Sequence, residues 1–167
     1  VERVLGIGGM GVVVAAHHLQ LDELVALKFL LPQGMSDPQL VARFLREGRA
    51  VAKIRSEHVA RVFDVGTLGN GAPYLVMEHL AGQDLAQVAG ARGQLPIAEV
   101  VDYVLQASEA IADAHVVGIV HRDLKPQNLF LTTRRDGSPC VKVLDFGISK
   151  ALDSAAAGMT GTAALMG

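Results

Sequence analysis

Residues 116–131, VVGIVHRDLKPQNLFL, set four ionisable side chains between two stretches that belong in a core. Val116–Val120 and Leu129–Leu131 are apolar; His121, Arg122, Asp123 and Lys125 lie between them, with Pro126 and Asn128 following. Charge buried without compensation is costly, and Pro126 keeps the segment from continuing as a helix. The chain must therefore anchor a polar loop by its apolar flanks and gather the charges around something that compensates them.

The rest of the composition narrows the choices. A length of 167 residues, half of them hydrophobic, suits one modest domain with a real core. A net charge of -2 gives no basic footprint for nucleic acid and no polybasic membrane patch. Cys140 is the single cysteine, so no internal disulfide forms, and a reducing cytoplasm is the expected setting. No uncharged apolar run reaches the roughly 18 residues of a membrane helix. The chain opens on Val1 rather than methionine, so it is expected to be a piece of something longer or a processed product. That parent could be membrane-anchored, with this part on its cytoplasmic side.

Local patterns predict strands first and helix later. Residues 1–31 read as valine-rich strands broken by the glycine cluster Gly6–Gly11 and by the reversal LDEL. SDPQL starts a helix, with Ser36 or Asp37 as cap and Pro38 in its first turn. Leu40, Phe44, Val51 and Ile54 form its apolar stripe, with Glu47 filling the gap. A carboxylate on a buried face needs a partner. VARVFDVG and APYLVMEHL are strands around a glycine turn, and AGQDLAQVAGARGQLP is a short helical piece. From about Ile97 to Val117 runs the strongest helix. Its expected inner face is Val101, Val104, Leu105, Ser108, Ile111, Ala112 and His115; Asp102, Gln106, Glu109 and Asp113 are expected outside. NLFL and VKVL are strands joined by the turn TTRRDGSP, read as exposed. The arrangement is α+β: two lobes with a cleft between them.

Four pieces carry chemistry. Gly6, Gly8 and Gly11 fit G-x-G-x-x-G, a loop whose amides can approach a polyphosphate; alone the spacing is weak, but here it leads into a strand rather than a helix. Lys28 ends the strand VALK. It is either an edge lysine that snorkels to water or the partner of Glu47 in an ion pair that also reaches nucleotide phosphates. In the opening segment Asp123 suits acceptance of a hydroxyl proton, Lys125 neutralisation of a phosphoryl group, and Asn128 an oxygen for a metal. In LDFG, Asp145 stands at a strand end, where a carboxylate suits phosphate-bound Mg²⁺.

In this order the pieces match the set G-x-G-x-x-G, V-A-I-K, a helix glutamate, H-R-D-L-x-x-x-N and D-F-G. From Val1 to Gly167 the chain resembles a eukaryotic-type (Hanks-type) serine/threonine protein kinase, and GIGGMG with HRDLKPQN is similar to the bacterial members. The resemblance implies a protein-kinase-like two-lobed fold, with the N-lobe and hinge in residues 1–80 and the first part of a helical C-lobe in 81–167. It implies ATP with Mg²⁺, or Mn²⁺ in its place, and protein substrates carrying serine or threonine. By the same likeness Asp123 is the catalytic base, Lys125 neighbours the γ-phosphate, and Asn128 and Asp145 hold the metal. Lys28, paired with Glu47, grips the phosphates under Gly6, Gly8 and Gly11. Met77 is the gatekeeper, the backbone of Glu78 and Leu80 reads adenine, Asp84 meets the ribose, and Val13, Ala26 and Phe130 sandwich the base. His121 packs against the phenylalanine of D-F-G. Arg122 implies regulation by phosphate on Thr160, Thr162 or Ser154, with autophosphorylation through a homodimer as one route.

No A-P-E follows D-F-G, so substrate-docking helices are expected to be missing, the isolated chain to be a weak enzyme, and the long helix to leave an apolar face exposed. Gly48 costs its helix roughly 1 kcal/mol against alanine, which predicts a mobile helix. A nucleotide-binding pseudokinase scaffold and a small-molecule kinase are the competing functions. The intact Lys28, Asp123, Asn128 and Asp145 oppose the first, and HRDLKPQN opposes the second.

Overall fold

Glycine and aspartate punctuate the valine-rich start of the chain into three antiparallel strands, β1 (Arg3–Ile7), β2 (Gly11–His18) and β3 (Glu23–Leu30). The computed structural model describes residues 1–8, 11–20 and 22–146. Two further strands, β4 (Val62–Thr67) and β5 (Pro73–Glu78), complete a five-stranded antiparallel sheet in the order β1-β2-β3-β5-β4. Between β3 and β4 lie a single helical turn, α1 (Pro32–Met35), and the helix α2 (Pro38–Val51). Asp37 caps α2: its carboxylate accepts from the Gln39 N–H at 2.8 Å, and Pro38 takes the first turn, where no N–H is needed.

The buried stripe of α2 is Leu40, Phe44, Gly48 and Val51, so Gly48 occupies the place expected for Glu47. Glu47 is only half-buried, at the edge of that face. The reason is close packing. A Cβ on Gly48 would lie 2.3 Å from Leu75 Cδ2 on β5, so the helix sits tightly on the sheet only where a side chain is absent.

The second half holds a three-stranded antiparallel sheet, β6 (Gln83–Asp84), β7 (Leu129–Thr133) and β8 (Pro139–Val143), in that order. Helix α3 (Leu85–Arg92) follows β6 and is opened by a capping box between Asp84 and Gln87. Helix α4 (Ile97–Val116) packs on β8. It does so with a different face from the one the apolar pattern predicts. Tyr103, Gln106, Ala107, Ala110 and Ala114 are buried, while Val101, Val104, Leu105, Ser108, Ala112 and His115 are exposed; of the expected set only Ile111 is even half-buried. Alanines let the backbone of α4 approach Val141 and Val143, and Gln106, expected outside, accepts the Val141 N–H at 2.8 Å. The larger apolar residues are left on the far side, as the exposed apolar face.

Two cores result. One, of Leu30, Leu40, Phe44 and Leu75, lies between α2 and the five-stranded sheet. The other joins Val51, Val59 and Val62 to α4, β8 and Phe146, and so ties the two halves together. Among the described residues no helix is long and apolar enough to cross a membrane.

Candidate active site

Between the two sheets lies a cavity of about 660 Å³. Its roof comes from the five-stranded sheet, with Gly6, Val13, Ala26 and Met77 among the lining residues. Its back wall is the connection Glu78–Leu80, and its floor includes Asp84, Phe130, Asp145 and Phe146. Gly8 and Gly11 are not among the lining residues. Gly11 has a packing role, since a Cβ there would lie 2.4 Å from the Phe29 carbonyl oxygen across the β2–β3 ladder.

Lys28 is buried on β3, the central strand of the roof, opposite Val13. Its ammonium does not pair with Glu47. It donates to Asp145 Oδ1, across the cleft. This corrects the expected Lys28–Glu47 bridge: a buried cation takes whichever anion lies within reach, and here the floor supplies it. Glu47 Oε2 is buried with no hydrogen-bond partner among the described residues. Burial pushes its carboxyl above the usual carboxylate range, opposed in part by Arg43, Arg46 and Arg122.

The polar loop of residues 121–128 is pinned as its apolar flanks require. His121 is buried, its Nε2 lies 2.8 Å from the Leu144 carbonyl oxygen, and its ring packs on Phe146 with centroids 4.9 Å apart. Asn128 is buried in a single 3₁₀ turn, Pro126–Asn128, and its side-chain N–H₂ donates to the Asp123 carbonyl at 2.8 Å and to Asp123 Oδ2 at 3.2 Å. Lys125 Nζ lies 2.8 Å from the same carboxylate oxygen. The Leu144 N–H donates to the Asn128 carbonyl at 2.9 Å, joining the loop to the strand end that carries Asp145. Asp123, Lys125 and Asn128 are thus bonded together beside Asp145, which of these residues is the one that lines the cavity, and Lys28 meets Asp145 from the facing sheet. Arg122 and Asp145 both adopt the left-handed backbone region, with φ of 65° and 54°. Local strain at these two positions persists because the surrounding bonds over-determine it.

Several contributors have no sequence signature. Leu5, Val62, Gln127 and Val143 line the cavity; only Leu5, an apolar strand position leading into the glycine loop, offers a local hint. Lys142 Nζ lies 2.8 Å from Glu78 Oε1. His58, buried, donates from Nδ1 to the Val141 carbonyl oxygen at 2.8 Å. Arg134, in the turn read as exposed, instead clamps Glu57 with Nε at 3.0 Å and a second nitrogen at 3.2 Å. Ser154, Thr160 and Thr162 lie outside the described residues, as does the glycine of D-F-G.

A lysine from one sheet and an Asp–Lys–Asn loop beside the other thus meet around Asp145 at a cleft between two lobes. The chain belongs to the protein kinase domain family, whose sequence profile matches residues 1–166. It is 44% identical over 154 residues to serine/threonine-protein kinase pkn3 of Myxococcus xanthus, covering 92% of this chain and 28% of that protein. It is 38% identical to serine/threonine-protein kinase PknA of Mycobacterium tuberculosis, covering 96% of this chain and 37% of that one. The crystal structure of the Mycobacterium tuberculosis PknI kinase domain superposes with a TM-score of 0.75 at 33% identity, over 88% of this chain and 58% of that one. The chain therefore spans well under half of these curated relatives.

Proposed function

We propose that this chain supplies the nucleotide site and the catalytic loop of a serine/threonine protein kinase. The reaction transfers the γ-phosphoryl group of ATP to a serine or threonine hydroxyl of a protein. A new O–P bond forms to the hydroxyl oxygen, the bridging β–γ P–O bond breaks, ADP leaves, and the hydroxyl proton passes to Asp123. Lys125, already on the Asp123 carboxylate, is placed to follow the transferring charge. Lys28 serves the phosphates from above, and the pocket wall around Glu78–Leu80, with Val13, Ala26 and Phe130, takes the base. Asp84 lines the same pocket and suits the ribose, although one of its oxygens also caps α3.

The donor set fits Mg²⁺. Asp145 and Asn128 offer hard oxygens from adjoining backbone segments, and the Asn128 nitrogen is already spent on Asp123. When bound, the ion would neutralise phosphate charge. Arg122, exposed beside the loop, suits a phosphate on Ser154, Thr160 or Thr162, added by a second copy of the same protein.

The observation that carries this reading is the shared carboxylate of Asp123, held by both Lys125 and Asn128 in the loop bonded to the strand end that carries Asp145, which Lys28 meets from the facing sheet. Calorimetric titration with Mg-ATP, followed by transfer of labelled phosphate to casein, tests it. The expected result is saturable binding, with Asp123→Asn cutting transfer by about 100-fold or more while binding changes less than about twofold. Absence of binding, or transfer indifferent to Asp123→Asn, would overturn it. Mass spectrometry after incubation with Mg-ATP checks the regulatory sites, and no phosphate on residues 149–167 would remove that part alone.

A further inference from the structure

The back wall of the cavity is held from outside by a residue of the opposite sheet. Glu78 ends β5, and its carboxylate Oε1 accepts from Lys142 Nζ at 2.8 Å and from the Arg61 N–H at 2.7 Å. Its own N–H donates to the Arg61 carbonyl at 2.9 Å. The Lys142 and Glu78 side chains are only 15% and 22% exposed, so the pair is shielded from the water and salt that reduce most surface bridges to little.

The placement of Lys142 is specific. On β8 it stands opposite Phe130 of β7, and cross-strand partners leave an antiparallel ladder on the same face. Phe130 forms part of the cavity floor, and Lys142 rises beside it to the wall. The segment just before Arg61 is fastened to the same strand. The Val143 N–H donates to the His58 carbonyl at 2.8 Å, and the Ala60 N–H donates to the Val143 carbonyl at 3.1 Å. Residues 58–61, β8 and Glu78 therefore close a ring around the connection between the two sheets. A change in the angle between the sheets, or a shift of residues 77–80, has to stretch the Lys142–Glu78 bond.

We propose that Lys142 is a positioning residue for the nucleotide: acting through Glu78, it fixes the backbone wall against which the base is read. This rests on the nucleotide reading of the cavity. The lysine touches no substrate. Its effect is to hold the wall in one geometry before the ligand arrives, so less ordering has to occur on binding.

Hydrogen exchange of the ligand-free chain and titration with the fluorescent nucleotide Mg-MANT-ADP test it together, on the unaltered chain, Lys142→Met, Lys142→Arg, Glu78→Gln and the Glu78→Gln/Lys142→Met double variant. Lys142→Met is expected to speed exchange in the peptide containing Glu78–Leu80 by about fivefold or more while α4 stays protected, and to raise the nucleotide Kd about fivefold. Lys142→Arg, which keeps the cation, is expected to stay within about twofold on both readouts. The double variant is expected to be no worse than the poorer single one, as two members of one bond should be. If Lys142→Met fails to fold, Glu78→Gln carries the test, because it keeps the Arg61 bond and removes only the charge. Unchanged exchange at Glu78–Leu80 in a chain that binds nucleotide would overturn the proposal alone. Additive losses, or acceleration spread equally over α4, would overturn it as well, by marking a merely structural bridge. No binding by the unaltered chain would overturn the nucleotide reading first, and this proposal with it.

Discussion

Lys28 bonds to Asp145 across the cleft, and the two ends of that bond sit in unequal surroundings: the lysine side chain is 6% exposed and the aspartate 41%. Removing either partner therefore has unequal consequences. Asp145→Ala strands a buried ammonium, which costs about 3 kcal/mol or more, whereas Lys28→Met leaves a carboxylate that water can reach. In urea unfolding of the ligand-free protein, Asp145→Ala should lose at least about 2 kcal/mol more than Lys28→Met. The reverse order would show that the pair does not hold in solution.

Glu47 gives a pH signature of known sign. Its carboxyl is pushed above the ordinary 4.5, chiefly by burial, so the folded chain binds its proton more tightly than the unfolded chain does. Linkage then makes this group's contribution most favourable below the unfolded value. It is lost as pH rises through the folded one, and the penalty persists above it. Glu47→Gln removes the charged form. Its thermal midpoint should exceed that of the unaltered protein at pH 7, and the gain should vanish near pH 4.

Much of this architecture is legible in residue order because local chemistry dictates it. Asp37-Pro38 starts a helix wherever it falls, the glycine cluster must turn, and the 116–131 flanks must anchor a loop. The motif residues were recognisable as groups needing compensation. Which of them meet was harder. Sequence marks Lys28, Glu47 and Asp145 as charges in want of partners, but only the distance across the cleft decides that Asp145 takes the lysine. Lys142 and His58 sit in ordinary strand and loop patterns, and their importance comes wholly from partners 64 and 83 residues away. On α4 the pattern misled for a physical reason. Hydrophobic size points to Val101, Val104 and Leu105, while a closely packed helix is chosen by small residues.

That choice on α4 can be measured. Leu105 is 58% exposed and Ala110 is fully buried. Leu105→Ala should cost less than about 0.5 kcal/mol, as for most exposed positions. Ala110→Leu forces extra methylenes against Val141 and Val143 and should cost about 2 kcal/mol. The apolar pattern alone predicts the opposite ranking, so chemical denaturation of the two variants decides between the faces.

Gly48 sets two effects against each other within one residue. Alanine in a helix interior is favoured over glycine by about 1 kcal/mol, which on propensity alone makes Gly48→Ala stabilising. The new methyl, however, would meet Leu75 Cδ2 at 2.3 Å and Val65 Cγ2 at 3.3 Å, and Leu75 is only 1% exposed, with no open space into which to retreat. Overpacking of this kind costs about 1–3 kcal/mol, and a contact under 3 Å belongs at the upper end, so packing outweighs propensity. The expected net loss is about 1–2 kcal/mol in urea unfolding. The sign of a second change separates the two effects. Leu75→Val, harmful alone because it opens a cavity, should recover part of the loss when combined with Gly48→Ala, since the shorter side chain vacates the space the methyl needs. A stabilised Gly48→Ala, or a double variant that is simply additive, would show that α2 does not ride directly on β5 and that the glycine serves flexibility instead.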